Sequence, residues 1–328
     1  MAEAESYDLD ATPPGHRSGF VAVIGRPNVG KSTLVNRFVG QKVAIVSPRP
    51  QTTRSRILGI LTREDVQVIF VDTPGLHRPR HKLGQAMVAT ATRAIPDADV
   101  VLFLVDVSVP PTGEDRMIAG LIQEQTQAPV VLVLNKMDLL PAEKVKPHTQ
   151  SYWALCHDLL PPAPPLIPPT GERMAAGGWM MTVATEGVNL DKLLDMVIAA
   201  LPEGPRYYPG DQVTDQTERE IAAELVREQV LRFTREEVPH AVAVVVEEFK
   251  ERENNVVYIA ANIYVERDSQ KGILIGRGGR MLRRIGAAAR QEIERMVGGR
   301  VYLDLWVKVS KNWRRDPRRV RRMGYTPE

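Results

Sequence analysis

The residues best equipped for chemistry are Gly25-Arg26-Pro27-Asn28-Val29-Gly30-Lys31-Ser32, followed by Thr33. Two glycines five positions apart let backbone N–H groups turn inward around an anion, while Lys31 and Ser32 add an ammonium and a hydroxyl beside it. That pattern cradles the phosphates of a nucleoside triphosphate, with Lys31 on the β and γ groups and Ser32 on a Mg2+ ion. A glycine-rich turn capping a helix would use the same letters. The setting favours phosphate, because an apolar run precedes the loop and a helical pattern follows it.

Two further strand ends carry chemistry. Asp72-Thr73-Pro74-Gly75 follows an apolar run. Its carboxylate suits Mg2+, and the Gly75 N–H suits a γ-phosphate. By itself this tetrapeptide is equally a good turn. Asn135-Lys136-Met137-Asp138 ends another apolar run. The Asp138 carboxylate can accept from the N1–H and N2–H2 of guanine, a donor pair that adenine lacks. Asn135 fits two tasks, contact with guanine or bracing of the phosphate loop. Three such sequences in this order, each at a strand's carboxyl end, mark the ligand edge of an open α/β sheet.

The elements that must position them are legible. Phe20–Ile24, Val66–Val71, Val100–Val105, Val130–Leu134 and Trp179–Ala184 read as buried strands. Lys31–Val39, Leu83–Ala94, Glu114–Gln125, Ser151–Leu160 and Leu190–Leu201 read as helices between and after them. The expected fold is a mostly parallel, doubly wound sheet over residues 17–203, interrupted by a proline-rich insertion at about 157–180. Residues 1–16 read as a disordered tail and 204–216 as a linker. From 217 to 328 the pattern changes. A helix over Thr217–Phe233, strands over Ala241–Val246 and Val256–Val265, a helix over Arg280–Val297 and a strand over Val301–Val309 describe a small α+β unit.

On these residues the chain resembles the bacterial Era GTPases, of the translation-factor-related class of P-loop GTPases. Pro50-Gln51-Thr52-Thr53-Arg54 looks like their effector loop, and Asp72–His77 looks like the opening of their second switch. Val183–Leu190 lies where they carry a guanine-contacting segment that begins Ser-Ala. The resemblance implies a GTPase with Lys31, Thr53, Asp72 and Gly75 at the reacting phosphate. It further implies Ser32, Thr53 and Asp72 on Mg2+, and Asn135, Lys136, Asp138, Val183 and Ala184 around guanine. Val183 replaces the usual serine, which bears on the rigidity of that loop, while the Ala184 backbone N–H can still meet guanine O6. Leu76 stands where Ras-like proteins have a water-aligning glutamine, so slow intrinsic hydrolysis is expected. Asn28 corresponds to a K+ ligand in some relatives; the other reading is that it stabilises the loop. His77 reads as a solvent-facing switch residue rather than a general base.

Gly276-Arg277-Gly278-Gly279 is a G-x-x-G sequence between two helical patterns. Alone it is only a turn. With two strands before and one after, it resembles the loop of a type II KH domain, which admits a nucleic-acid backbone. The expected RNA contacts are Ile273, Ile275, Gly276, Arg277, Gly278, Gly279, Arg280, Arg283, Lys308, Lys311, Arg314 and Arg315. For the whole chain the resemblance implies binding to the 3′ end of 16S ribosomal RNA during maturation of the 30S subunit. It also implies a monomer in the cytoplasm, with peripheral association at the inner face of the cell membrane as a secondary mode.

Composition agrees with a reducing compartment and a polyanionic partner. The chain of 328 residues contains one cysteine, which rules out an internal disulfide or a multi-cysteine metal centre. No apolar run reaches the ~20 residues of a membrane span. The formal net charge of +3 hides a division, because residues 267–328 hold 17 basic and 6 acidic groups, a net of +11. By charge alone this terminus is equally an RNA surface or a solvated face. Three other classes fit parts of the pattern: an ATPase or metabolic kinase on the same phosphate loop, a binding module whose nucleotide is structural, and a membrane-surface protein held by the basic tail.

Overall fold

The computed structural model describes residues 12–79, 81–156, 178–252 and 255–325. They divide into two compact units. The first comprises residues up to Ala44, Arg56–Arg78 and Ala89–Asp215; the second comprises Ile45–Ser55, Pro79–Val88 and the residues from Gln216 onward.

The first unit is built on a six-stranded sheet of β1 (Arg17–Ile24), β2 (Ile57–Thr62), β3 (Val66–Asp72), β4 (Val100–Asp106), β5 (Val130–Asn135) and β6 (Gly178–Thr182). Their spatial order is β2-β3-β1-β4-β5-β6. All neighbours run parallel except β2, which is antiparallel to β3. Helices α1 (Lys31–Val39), α2 (Lys82–Arg93), α3 (Gly113–Gln125), α4 (Val145–Leu155) and α5 (Leu190–Ala200) alternate with the strands. The division between units falls within α2. Continuous apolar strands are needed here because a parallel sheet with connecting helices is covered on both faces. Val21, Val23, Val68, Phe70, Leu102 and Val131 accordingly pack with Leu34, Leu193 and Val197 in one core. Phe38 stacks on Phe70 with ring centroids 4.8 Å apart.

Several elements differ from their expected bounds. The strand β2 was hidden by Gly59, whose Cβ would lie 2.5 Å from Val35 Cγ1. The helix read at Ser151–Leu160 starts six residues earlier, at Val145, and Pro147 fits in its first turn. Residues 157–160 of that expectation, and most of the proline-rich insertion, lie outside the described residues. The strand read to Ala184 ends at Thr182, where a tight turn begins.

Residues 204–215 run beside the sheet edge of the first unit. Ile60 N–H donates to Val213 O at 2.9 Å, and Leu58 N–H to Asp215 Oδ1 at 3.0 Å. Gln67 accepts from Tyr207 and Tyr208 N–H at 2.7 and 3.0 Å. Two N–H groups of the edge strand β2 are thereby satisfied, which blunts a site for unwanted pairing. The tail read over 1–16 falls mostly outside the described residues, but His16 is buried, with Nδ1 2.8 Å from Gly204 O.

The second unit holds α6 (Glu218–Phe233), α7 (Val238–Ala241), β7 (Ala243–Arg252), β8 (Val256–Val265), α8 (Asp268–Ile275), α9 (Arg280–Val297), β9 (Arg300–Val309) and α10 (Pro317–Arg322). Its sheet has the order β7-β8-β9, with β7 antiparallel and β9 parallel to β8. One face buries Ile259, Ile263 and Val307 against Val226, Val230, Leu274, Ile285 and Ile293 of the helices. β7 extends six residues beyond its expected end at Val246. A register shift between Val246 and Glu248 breaks the apolar alternation there, and charged side chains follow.

Two segments from the first third of the chain complete this unit. Leu83 and Met87 pack with Ala243, Trp313, Val320, Met323 and Tyr325 on the sheet's other face. Residues 45–55 carry Ile45 into the helical core. Val46 N–H donates to Glu228 Oε1 at 3.1 Å, and the buried Arg227 binds both Thr52 O and Glu224. Burial opposes the charge on Arg227, but the Glu224 carboxylate outweighs it and holds the guanidinium above its usual range. Arg54 is 4% exposed, donates to Val242 O at 2.6 Å, and lies 5.8 and 5.4 Å from the ring centroids of Trp313 and Tyr325. Its charge is stabilised by carbonyl dipoles and aromatic faces in place of a carboxylate. Replacing Arg54 with alanine leaves buried carbonyls unpaired and should cost about 2–4 kcal/mol. A lowered unfolding transition of the second unit, only partly recovered by Arg54→Lys, is the expected calorimetric result.

Candidate functional site

The ligand edge of the first unit is set by register. Val23 pairs with Asp72, Asp106 with Asn135, and Asn135 with Thr182, so the chemistry-bearing residues end neighbouring strands side by side. From β1 the chain enters the Gly25–Ser32 loop. A Cβ on Gly25 would sit 2.2 Å from Leu104 O, and one on Gly30 would sit 2.3 Å from Asn135 Nδ2. Gly30 caps α1 with φ 109°, without a side-chain cap and with no acid in the first turn. The first N–H groups of α1 and its dipole are therefore presented to an anion. Pro27 and Val29 shape this loop, Asn28 holds a left-handed φ of 63°, and Thr33 lies half-buried on the first helical turn. Non-glycine residues in that region store strain, a common feature of ligand loops. Arg26 sends its side chain to Asp115 of α3, with Nε 3.3 Å from Oδ1, so its main chain is what the loop presents.

Lys31 is buried, and its ammonium donates to Gly25 O at 3.1 Å and Arg26 O at 3.0 Å. Burial pulls it down to about 8, with Asp72 opposing that fall. Ser32 Oγ donates to Asp72 Oδ2 at 2.6 Å. Hydroxyl and carboxylate are hard oxygen ligands, and their adjacency fits Mg2+. Among the described residues no cluster of three His, Cys, Asp or Glu side chains could hold a metal alone. Thr53 belongs to the 45–55 segment, which groups with the second unit.

The segment after Asp72 is docked on the phosphate loop by main chain. Leu76 N–H donates to Gly25 O at 3.1 Å, and a Cβ on Gly75 would meet Pro27 N at 2.5 Å. The Leu76 side chain is buried, so it offers an attacking water no polar group. His77 Nδ1 donates to Gly75 O at 2.9 Å.

At the base-recognition end, Asn135 is only 2% exposed. Its Nδ2 donates to Val29 O at 2.8 Å, and its Oδ1 accepts from Thr182 Oγ1 at 3.1 Å and from Ala184 N–H at 3.0 Å. Of its two open readings, bracing the phosphate loop is the arrangement seen. Lys136, in a left-handed conformation, pairs with Asp106 at 2.7 Å. Burial would raise the Asp106 carboxyl, but bonds from Lys136 and Ser108 hold it below its ordinary value. Asp138 lies exposed on the single turn Met137–Leu139 that follows. Val183 is buried, and its carbonyl accepts from Gly187 N–H at 2.9 Å while its N–H donates to Val188 O at 3.3 Å. Main-chain closure of this turn supplies rigidity in place of a serine hydroxyl. Thr182 and Asp106 were missed by sequence reasoning; the available signal was a polar residue ending each apolar run.

In the second unit, α8 leads into the glycine loop. Gly276 has φ 69°, and a Cβ there would sit 2.8 Å from Met281 Cβ. Gly278 and Gly279 also have positive φ, and a Cβ on either would meet nothing within 4 Å. The first glycine thus serves packing, while the other two leave an open surface at the start of α9. Arg277 and Arg280 are exposed there, and Arg283 reaches back to Gly278 O at 2.6 Å. Ile273 is 53% exposed, whereas Ile275 packs against the core. Lys308, Lys311 and Arg315 are exposed. Arg314 instead pairs with Glu266, which keeps that carboxyl below its ordinary range against the effect of burial.

Fold and site together define the class, a P-loop GTPase joined to a KH domain. A 50S ribosome-binding GTPase family matches residues 20–136, and a KH-domain family matches residues 237–314. GTPase Era of Heliobacterium modesticaldum is 46% identical over 94% of this chain and 97% of its own length. GTPase Era of Halothermothrix orenii is 47% identical over 94% and 99%. A crystal structure of Era in complex with MgGDPNP and nucleotides 1506–1542 of 16S ribosomal RNA superposes with a TM-score of 0.86 at 39% identity, covering 95% of this chain and 99% of that one. The chain belongs to the Era family, and it is a GTPase.

Asn135→Ala should lower GDP affinity by about 100-fold, near 2.7 kcal/mol, because it removes the brace between the phosphate and base loops. Titration calorimetry with the folded variant measures this. Phosphate charge beside Lys31 should raise its ammonium again from about 8. Nucleotide uptake then carries a proton above pH 8, and GDP affinity falls by up to tenfold per pH unit from there towards pH 10. Calorimetry in buffers of different ionisation heat reads the proton directly; an affinity flat from pH 7 to 10 would refute it.

Proposed function

We propose that this protein binds 16S ribosomal RNA near its 3′ end through the Gly276–Gly279 loop, and that GTP binding and hydrolysis time that contact during assembly of the 30S subunit. The observation that carries the reading is a glycine loop open at Gly278 and Gly279, on the same chain as a phosphate-type loop braced by Asn135. A relative of nearly equal extent holds MgGDPNP and this region of the RNA. Residues 17–203 are the nucleotide domain in this reading, 204–216 the linker and 217–328 the KH domain.

Ser32 and Asp72, with Thr53 as the family resemblance implies, would hold Mg2+, which would neutralise charge on the phosphate oxygens of GTP. Lys31 adds positive charge, and N–H groups of residues 28–33 would fix the phosphates in line with the attacking water. With Leu76 buried, that water is oriented by main-chain groups of the switch segments, and turnover is slow. K+ at Asn28 is part of the proposal; equal turnover in K+ and Na+ would remove it. Monomer, cytoplasm and weak peripheral membrane contact complete the reading. No helix among the described residues is long and apolar enough to cross a membrane, and vesicle sedimentation with competing RNA tests surface contact.

Asp138→Asn should weaken GTP binding by at least 100-fold and create preference for xanthosine triphosphate, since the amide inverts one hydrogen bond. Gly278→Asp/Gly279→Asp should abolish binding of the 1506–1542 fragment in anisotropy titrations while nucleotide affinity stays unchanged. Intact RNA affinity in that variant would overturn the loop assignment.

A further inference from the structure

The helix-free face of the second unit's sheet is only half covered. At one end Ala243, Val245 and Tyr264 lie beneath Trp313, Met323 and Tyr325. Cross-strand register places Lys250, Tyr258 and Tyr302 in one row of the remaining face, and Asn262 and Trp306 in another. Tyr302 and Trp306 are each 61% exposed, a large aromatic area to leave in water.

These side chains are ordered by one another. Tyr258 stacks on Tyr302 with centroids 5.8 Å apart and planes 22° apart, and Arg252 lies 3.9 Å from the Tyr258 ring centroid. Trp306 Nε1 donates to Asp304 Oδ2 at 3.1 Å, which orients the indole. Such rings lose little rotational freedom when a flat partner settles on them. The charges around them are predominantly positive. Lys250, Arg252, Arg300 and Lys308 are exposed at the margins. Three carboxylates share this face, and each has a partner: Glu247 accepts from Asn262 at 2.7 Å, Glu248 is paired with Lys250 at 2.7 Å, and Asp304 holds the indole. An open cavity of about 700 Å³ at the start of β9 continues the surface, and its lining includes Val256, Arg290, Glu294, Arg300 and Tyr302.

Exposed aromatics on a sheet, ringed by cations, bind unpaired bases by stacking and their phosphates by charge. We infer that this face is a second RNA-binding surface, taking unstacked or helix-terminal bases on Tyr302 and Trp306 with phosphates on Arg252, Arg300 and Lys308. The inference rests on the RNA-binding reading of this domain, but it uses the sheet face opposite the helices that carry the glycine loop. A KH loop clamps about four nucleotides. RNA that extends past the loop therefore needs a further platform, and this face supplies one.

The test compares two RNAs on the full chain by anisotropy: the 1506–1542 fragment, and a single strand of about ten nucleotides from its 3′ end. Tyr302→Ala/Trp306→Ala should lose about 10–100-fold in affinity for the long fragment and less than threefold for the short one. Tyr302→Phe/Trp306→Phe should keep the affinity, because the rings remain. Unchanged GDP affinity and unfolding temperature report that the double-alanine variant is folded. If it binds the long fragment as the unmodified protein does, while the loop variant binds neither RNA, this inference fails and the loop assignment survives. If the unmodified protein binds neither RNA, both fail. If naked RNA binding is unchanged but cosedimentation with 30S subunits is lost, the face belongs to a ribosomal protein, and the inference is overturned.

Discussion

One carboxamide holds the nucleotide half of this molecule in order. Asn135 donates to the carbonyl of Val29 in the Gly25–Ser32 loop and accepts from Thr182 and Ala184 at the end of β6. Thr182 is its register partner on β6, Ala184 follows two residues later, and Val29 lies in the loop after β1, one strand beyond β4. Burial makes the arrangement nearly obligatory, since each unmet bond would leave a polar atom in a dry interior. Gly30 follows from the same constraint, as any Cβ there would strike the amide nitrogen. The spacing between the Gly25–Ser32 loop and the turn after β6 is therefore set by one side chain that bonds to both.

A buried cation sits a few residues away under a different rule. Lys31 is stabilised by carbonyl oxygens and opposed by desolvation. A phosphate chain is the natural counter-charge for such a group, so the loop is more stable with its ligand than without it. Arg54 in the second unit solves a related problem with carbonyls and aromatic rings. Neither cation relies on a surface ion pair, which would contribute little.

Much of this was legible in the residues. The apolar runs ending in Gly25, Asp72 and Asn135 reveal both the parallel sheet and its ligand edge, because period and strand-end chemistry agree there. Gly276–Gly279 identifies the KH loop once its flanking helices are read. Other features depend on tertiary information. Gly59 weakens the pattern of β2, whose pairing with β3 is decided by packing against Val35. The shift at Val246 conceals half of β7. Nothing local in Pro50–Arg54 indicates that Arg54 will be buried against a residue 271 positions later. The bonding of Val183 by main chain alone also escapes a reading based on side-chain letters.

The membership of residues 45–55 and 79–88 in the second unit has a consequence for how the protein is made. Ribosomes add residues in order, at about 5–20 per second. Arg54, Leu83 and Met87 emerge early, yet Trp313, Val320 and Tyr325, which cover them, are among the last residues translated. For roughly 10–50 s of synthesis these apolar and cationic groups have no native partners. The segment that carries Thr53 thus gains its packing partners only when translation is nearly complete, and nascent chains pass through a window in which the first unit is synthesised but the second is not.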